Sequence, residues 1–215
     1  LTVSRGPGPG RPEPGLCGPT TVLAAARPYG AGPYRAYGCP SSVGAAPGDM
    51  GLHEENLPRG RKLILSGVRR NDLSPLSRIK SLNYMDSLLA REEARRFGAD
   101  DAILLNTRGE VAETSTANIF LVRDDLLFTP PLESGCLPGI TREIILEIAK
   151  AKGFRVAEKP IMPEGLLRSD EVFITNSLIE VACVEEINGQ RVSGEVPGPI
   201  TRALAQAYRE LVMGS

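Results

Sequence analysis

Four short pieces of this 215-residue chain could do chemistry together. Lys80 sits in Ile79-Lys80-Ser81-Leu82-Asn83-Tyr84, just before an expected helix. Glu113 heads Glu113-Thr114-Ser115-Thr116-Ala117-Asn118, just after a polar turn. A neutral lysine amine attacks carbonyl carbons and carries protons, and burial or nearby positive charge lowers its pKa. Gly139-Ile140-Thr141 precedes a strong helix, where backbone N–H groups and a hydroxyl can meet a phosphate. The plainer reading is a helix cap at or near Thr141. Thr175-Asn176-Ser177 follows a strand and could bind an anion or simply turn the chain. A lone lysine, or a lone glutamate in a turn, is most often a solvated surface residue. It is the order and company of the four pieces that carry meaning.

The elements that must position these residues follow from pattern. Residues 86–97 read as an amphipathic helix stopped by Gly98, with Leu88, Leu89, Ala94 and Phe97 as its apolar residues. Arg91, Glu92, Glu93, Arg95 and Arg96 supply its wet side. Residues 102–105 and 118–122 are expected strands around a polar turn at 106–109, and 126–129 a further strand closed by Pro130-Pro131. Residues 141–152 form a helix carrying Ile144, Ile145, Ile148 and Ala149, ended by Gly153. Strands are expected at 155–160, 171–176 and 181–187, the last turned at Asn188-Gly189. A short helix is expected at 164–169 and a closing helix at 201–213. Toward the N-terminus, 1–4, 20–26 and 61–68 read as strands, separated by Pro- and Gly-rich loops at 5–19 and 28–48. This mixture lacks a regular repeat, and it predicts an α/β, mixed α+β sheet core with parallel and antiparallel pairs. A boundary is expected in the polar turn near residue 73, dividing the chain into 1–73 and 74–215.

Composition excludes several function classes. With 25 basic against 26 acidic residues and a net charge of −1, phosphate neutralisation has little to work with, so nucleic acid is not an expected partner. No apolar run reaches the roughly 18 residues of a membrane span, so no membrane partner is expected either. Cys17, Cys39, Cys136 and Cys183 form no CxxC pair, and His53 is the single histidine. A zinc site is therefore not expected, nor a Ser-His or Cys-His hydrolase. His53 itself sits in a polar loop, His53-Glu54-Glu55-Asn56. Sparse cysteines suit a reducing cytoplasm. The chain opens at Leu1 inside an expected strand, so an N-terminal portion is expected to be missing.

From Ser77 onward the chain resembles the class IV aminotransferases, the fold-type IV enzymes that use pyridoxal 5′-phosphate. The resemblance rests on Ile79–Tyr84, on Glu113 through Asn118-Ile119-Phe120, on Leu137-Pro138-Gly139-Ile140-Thr141-Arg142 and on Phe173-Ile174-Thr175-Asn176-Ser177. Val3-Ser4-Arg5-Gly6 also resembles the family's strand-then-loop segment. The resemblance implies a D-amino-acid aminotransferase-like fold, with a large cofactor-binding domain after the remnant of a smaller one. It implies that Lys80 bonds the cofactor and moves protons, and that Glu113 faces its ring nitrogen. Gly139, Ile140, Thr141, Asn176 and Ser177 would bind its phosphate. Tyr84 would flank the cofactor or Lys80, and Asn118 would shape the Glu113 loop. Arg5 or Arg11 would meet the substrate carboxylate. A homodimer with the site near its interface is implied as well.

The sequence departs from the family pattern at Thr114, where a glycine is usual. It also shows no counterpart of the family's N-terminal arginine that grips the phosphate. Thr175-Asn176-Ser177-Leu178 and Thr116-Ala117-Asn118 resemble the aminodeoxychorismate lyases. The leading expectation is therefore pyruvate elimination from 4-amino-4-deoxychorismate, giving 4-aminobenzoate for folate synthesis. The alternative is a branched-chain or D-amino-acid transaminase, and a more distant one is a cofactor-free binding module.

Overall fold

The computed structural model describes residues 60–192 and 194–213, together with the backbone of two short strands near the N-terminus. Those two strands, β1 (Thr2–Ser4) and β2 (Thr21–Leu23), pair antiparallel with Val3 opposite Val22. Arg5, Arg11 and His53 lie outside the described residues. The chain divides into two compact units, Leu1–Gly51 and Leu52–Ser215, and every other described element belongs to the second.

The second unit is built on a nine-stranded mixed sheet. Its strands are β3 (Arg61–Arg70), β4 (Asp101–Asn106), β5 (Val111–Thr114), β6 (Asn118–Arg123), β7 (Leu126–Thr129), β8 (Arg155–Glu158), β9 (Glu171–Asn176), β10 (Glu180–Ile187) and β11 (Gln190–Arg191). They run in the order β5-β4-β3-β10-β9-β6-β7-β8, with β11 beside β10. β3 is parallel to both β4 and β10, β7 is parallel to β8, and the remaining pairs are antiparallel. The helices are α1 (Met85–Arg96), α2 (Ile140–Ala151), α3 (Pro163–Leu167) and α4 (Pro199–Met213). This is the mixed α/β core that the element pattern predicts.

Side-chain alternation splits the core into layers. Leu63, Ile103, Leu105, Val111, Ile119, Leu121, Val172 and Ile174 pack into one cluster on one face of the sheet. Phe120, Val122 and Phe173 point the other way, against Ile145, Ala149, Leu204 and Tyr208 of α2 and α4. Phe120 and Phe173 stack, with ring centroids 4.9 Å apart. Ala102 and Leu104 meet α1 through Ala90 and Ala94. β4 is thus buried on both faces, which is why it reads as an unbroken apolar run.

Two expectations need correction. The small residues Ser87, Ala90 and Ala94 of α1 face the sheet, while Leu88, Leu89 and Phe97 are 58%, 54% and 75% exposed. The helix sits close on Ala102 and Leu104, and only small side chains fit beneath it. β5 was not expected; it pairs with β4 and places Glu113 within a strand, opposite Leu104. Its four residues are half polar, so no apolar run announces it. β3, expected over 61–68, runs to Arg70 and is hydrogen-bonded on both sides inside the sheet.

β3 also carries a bulge. Leu65 pairs with Ile103 and Arg69 with Leu105, so β3 spends four residues where β4 spends two. The Glu93 carboxylate of α1 closes it, accepting from Ser66 Oγ at 2.5 Å and from the Gly67 N–H at 3.1 Å. Among the described residues no helix is long and apolar enough to cross a membrane.

Candidate active site

Glu113 is the buried centre of the site, 8% exposed on β5. One carboxylate oxygen lies 3.1 Å from the Arg70 guanidinium, and the other accepts the Leu137 N–H at 2.9 Å. Burial pushes its pKa up to about 7, while Arg70, the Leu137 N–H and Lys80 pull against that rise. The lysine is therefore near enough to act on the carboxylate electrostatically. Lys80 itself is exposed, in the segment between a 3-10 turn (Pro75–Arg78) and α1. Its Nζ donates to Tyr84 Oη at 2.8 Å and stands 5.5 Å from that ring's centroid.

The loop from β5 to β6 is held from within. Thr114 Oγ1 accepts from the Ala117 N–H at 3.0 Å and donates to the Ala117 carbonyl at 3.1 Å. The threonine found where the family has glycine is thus consumed by the turn. Ser115 Oγ and Thr116 Oγ1 both donate to the buried Asp101 carboxylate. Asn118 ends the loop, its Nδ2 donating to the Leu137 carbonyl at 2.9 Å. Its Oδ1 lies 2.1 Å from where a Cβ on Gly139 would stand. Any side chain at 139 would collide with it, which explains the glycine.

Gly139 is the N-cap of α2, and no side chain caps that helix. Ile140 and Thr141 occupy its first turn, Ile140 exposed and Thr141 buried. The cap therefore lies at Gly139 rather than at Thr141. Across the sheet, Asn118 pairs with Thr175, so the residues after β9 fall beside the Asn118–Gly139 contact. Asn176 Nδ2 donates to the Thr116 carbonyl at 3.0 Å. Its Oδ1 accepts the N–H groups of Leu178 at 2.8 Å and Ile179 at 2.9 Å. Ser177 next to it is exposed.

Asn118, Gly139 and Asn176 thus meet where β6 starts, β9 ends and α2 begins, Glu113 joins them through the Leu137 N–H, and Lys80 and Tyr84 lie on the segment before α1. The sequence reading missed Arg70. It lies at the end of β3, in no local motif, and only the sheet brings it to Glu113. Cys136 was noted only as a cysteine. It is buried just before Leu137, with its thiol pushed up to about 11 by burial. Among the described residues no group of histidine, cysteine and carboxylate side chains could hold a metal ion.

The amino-transferase class IV family model matches residues 1–187. The chain belongs to the class IV aminotransferases. Among curated proteins it is 33% identical over 212 residues to a putative branched-chain-amino-acid aminotransferase of Methanocaldococcus jannaschii, covering 98% of this chain and 66% of that protein. It is 38% identical over 165 residues to the branched-chain-amino-acid aminotransferase of Pseudomonas aeruginosa, covering 76% of this chain and 53% of that one. Among solved structures, the branched-chain aminotransferase of Thermoproteus uzoniensis with norvaline superposes with a TM-score of 0.69 at 40% identity, over 73% of this chain and 52% of that one. The PLP form of the Thermobaculum terrenum enzyme gives 0.71 at 35% identity, over 75% and 53%. The chain spans between half and two thirds of the length of these relatives.

Proposed function

We propose that this chain supplies the larger part of a pyridoxal-phosphate-dependent transaminase acting on branched-chain amino acids. The observation that carries this is the buried, arginine-paired Glu113 beside Lys80, next to the uncapped start of α2. The residues suit the cofactor. A buried carboxyl paired with an arginine suits a ring nitrogen that takes up a proton. A helix start without a side-chain cap, with the Ser177 hydroxyl nearby, matches a phosphate. The relatives named above are branched-chain aminotransferases, and this gives the substrate class.

In this reading Lys80 would hold the cofactor through its amine and, when free of it, would take up and give back the substrate's Cα proton. Tyr84, hydrogen-bonded to Nζ, would orient that amine. Glu113 would keep a proton on the ring nitrogen of the cofactor, which when bound would supply an electron sink. The N–H groups of Ile140 and Thr141 and the hydroxyl of Ser177 hold the phosphate. Asn118 keeps Gly139 in place, and Asn176 fixes the turn that presents Ser177. Arg5 or Arg11 receives the substrate carboxylate. A homodimer, in the cytoplasm, completes the site. Exposed Leu73, Leu76, Ile79, Leu82 and Leu89 around Lys80 provide an apolar surface for the second copy.

The leading expectation from sequence, pyruvate elimination by a lyase, gives way. It rested on Asn176 and on Thr116-Ala117-Asn118. These side chains are used within the loops, Asn176 in closing its own turn and Thr116 on Asp101, so neither argues for a lyase substrate.

An absorbance spectrum with pyridoxal phosphate, before and after borohydride, tests the reading, with Lys80→Ala alongside. The expected result is a yellow protein whose cofactor becomes fixed to Lys80. Turnover of a branched-chain amino acid should also require an added 2-oxo acid. Release of pyruvate without one would return the lyase reading. A full-length protein that stays colourless would leave a cofactor-free binding module.

A further inference from the structure

Arg70 ends β3 and touches three segments at once. Its guanidinium lies 3.1 Å from Glu113 Oε1, Nη2 donates to the Ser77 carbonyl at 2.8 Å, and Nε donates to the Gly135 carbonyl at 3.1 Å. Ser77 stands three residues before Lys80. Gly135 stands two before Leu137, whose N–H holds the other oxygen of Glu113. The contacts close a ring from Arg70 through Glu113, Leu137 and Gly135 back to Arg70. Gly135 is itself fixed: its φ is 89°, and a Cβ there would lie 2.9 Å from the Asp72 backbone. Asp72 in turn accepts from the Thr107 N–H at 3.0 Å and from Arg108.

We propose that Arg70 is a positioning residue of this site: it favours the ionised form of Glu113 and aims it, and it ties the lysine segment to that carboxylate. The proposal rests on the transaminase reading for its purpose and on the geometry for its substance. A buried carboxylate without a counter-charge takes up a proton and becomes neutral. A Glu113 made more basic by loss of its counter-charge would compete with the ring nitrogen for the proton it is meant to hold there. The charged and titratable groups facing Glu113 are Arg70 from β3, Lys80 from the segment before α1 and Cys136 from the loop before α2. Arg70 opposes the burial of Glu113 more than Lys80 does, and the Cys136 thiol stays neutral in the physiological range. The planar fork of arginine can serve a carboxylate and two carbonyls together; a lysine ammonium supplies the charge without that geometry.

The test uses the full chain without cofactor, with glutamate carboxyl carbons labelled for NMR and Glu113→Gln assigning the signal. In Arg70→Met the Glu113 midpoint should rise by about one pH unit or more. In Arg70→Lys it should stay within about half a unit of wild type, while amide exchange at residues 77–84 speeds up. An unmoved midpoint in Arg70→Met, or unchanged exchange in both variants, overturns the proposal. If Arg70→Met does not fold, Arg70→Met combined with Glu113→Gln should fold, since no buried charge is then left unpaired. A double variant as poorly folded as the single one overturns it as well. These readouts need no cofactor, so a failure of Lys80 to bind pyridoxal phosphate would count against the transaminase reading alone.

Discussion

Lys80 and Glu113 approach one another from opposite kinds of ground. Glu113 lies in a strand, buried and bonded at both oxygens. Lys80 lies on an exposed segment whose amine meets one tyrosine of the same segment. The sheet-borne half of the site is fixed by the second unit itself. On the lysine side the fixed point is Ser77, where Arg70 grips the backbone. The difference suggests a division of labour: a rigid acceptor of charge, and a nucleophile on a segment that other surfaces complete.

Substitutions at the two residues should therefore behave differently. The largest effect is expected for Lys80→Ala: loss of the borohydride-fixed adduct and a fall in transamination of about 10^4-fold. Its melting temperature without cofactor should barely move, because the side chain is exposed. A strongly destabilised Lys80→Ala would break the contrast.

Glu113→Gln should cost about a hundredfold in turnover, and it should also change the pH dependence of folding. The folded-state pKa of Glu113, about 7, lies above its ordinary value of 4.5. Between those values the folded protein binds more protons than the unfolded chain, so stability from this group falls as pH rises through the window. The loss is at most about 3 kcal/mol, complete above pH 7 and absent below the unfolded pKa. Urea unfolding across that range should show the slope in wild type and its flattening in Glu113→Gln. An unchanged slope would remove the claim that burial dominates at this carboxyl.

Gly139→Ala sharpens the comparison at the phosphate end. The new methyl must displace Asn118 Oδ1, and the expected cost is about 2 kcal/mol by chemical denaturation, with weaker cofactor retention. The smallest effect is expected for Asn176→Ala. It unfastens a turn held by three hydrogen bonds and should cost about 1 kcal/mol. It should leave the requirement for a 2-oxo acid intact. A variant that lost this requirement would reopen the link between the asparagine and reaction type.

What could be read from sequence was what is local. Lys80, Glu113 and Gly139-Ile140-Thr141 lie in contiguous pieces whose order carries the family resemblance, and the mixed sheet followed from the run of short elements. Arg70 was invisible because Glu113 and Gly135, the partners that place it in the site, are 43 and 65 residues away in the chain. β5 was missed because Glu113 and Thr114 break its apolar pattern. The face of α1 was misjudged for a packing reason: hydrophobicity marks Leu88 and Leu89, but the close approach of helix to sheet selects Ser87, Ala90 and Ala94.

The bulge in β3 bears on how this chain tolerates changes of length. Because it absorbs two residues, Arg70 rather than Val68 arrives opposite Asn106. Absorbing an even number leaves the inside-outside alternation of the strand intact, so the core would not register its loss. Counted straight along the ladder, a valine would stand where the guanidinium now reaches Glu113. Residue count between Leu65 and Arg69 is thus a ruler for the site. Deleting two residues there would remove the bulge and still bring Arg70 opposite Asn106, whereas a single-residue insertion or deletion would either change the bulge or reverse the faces that the following residues present.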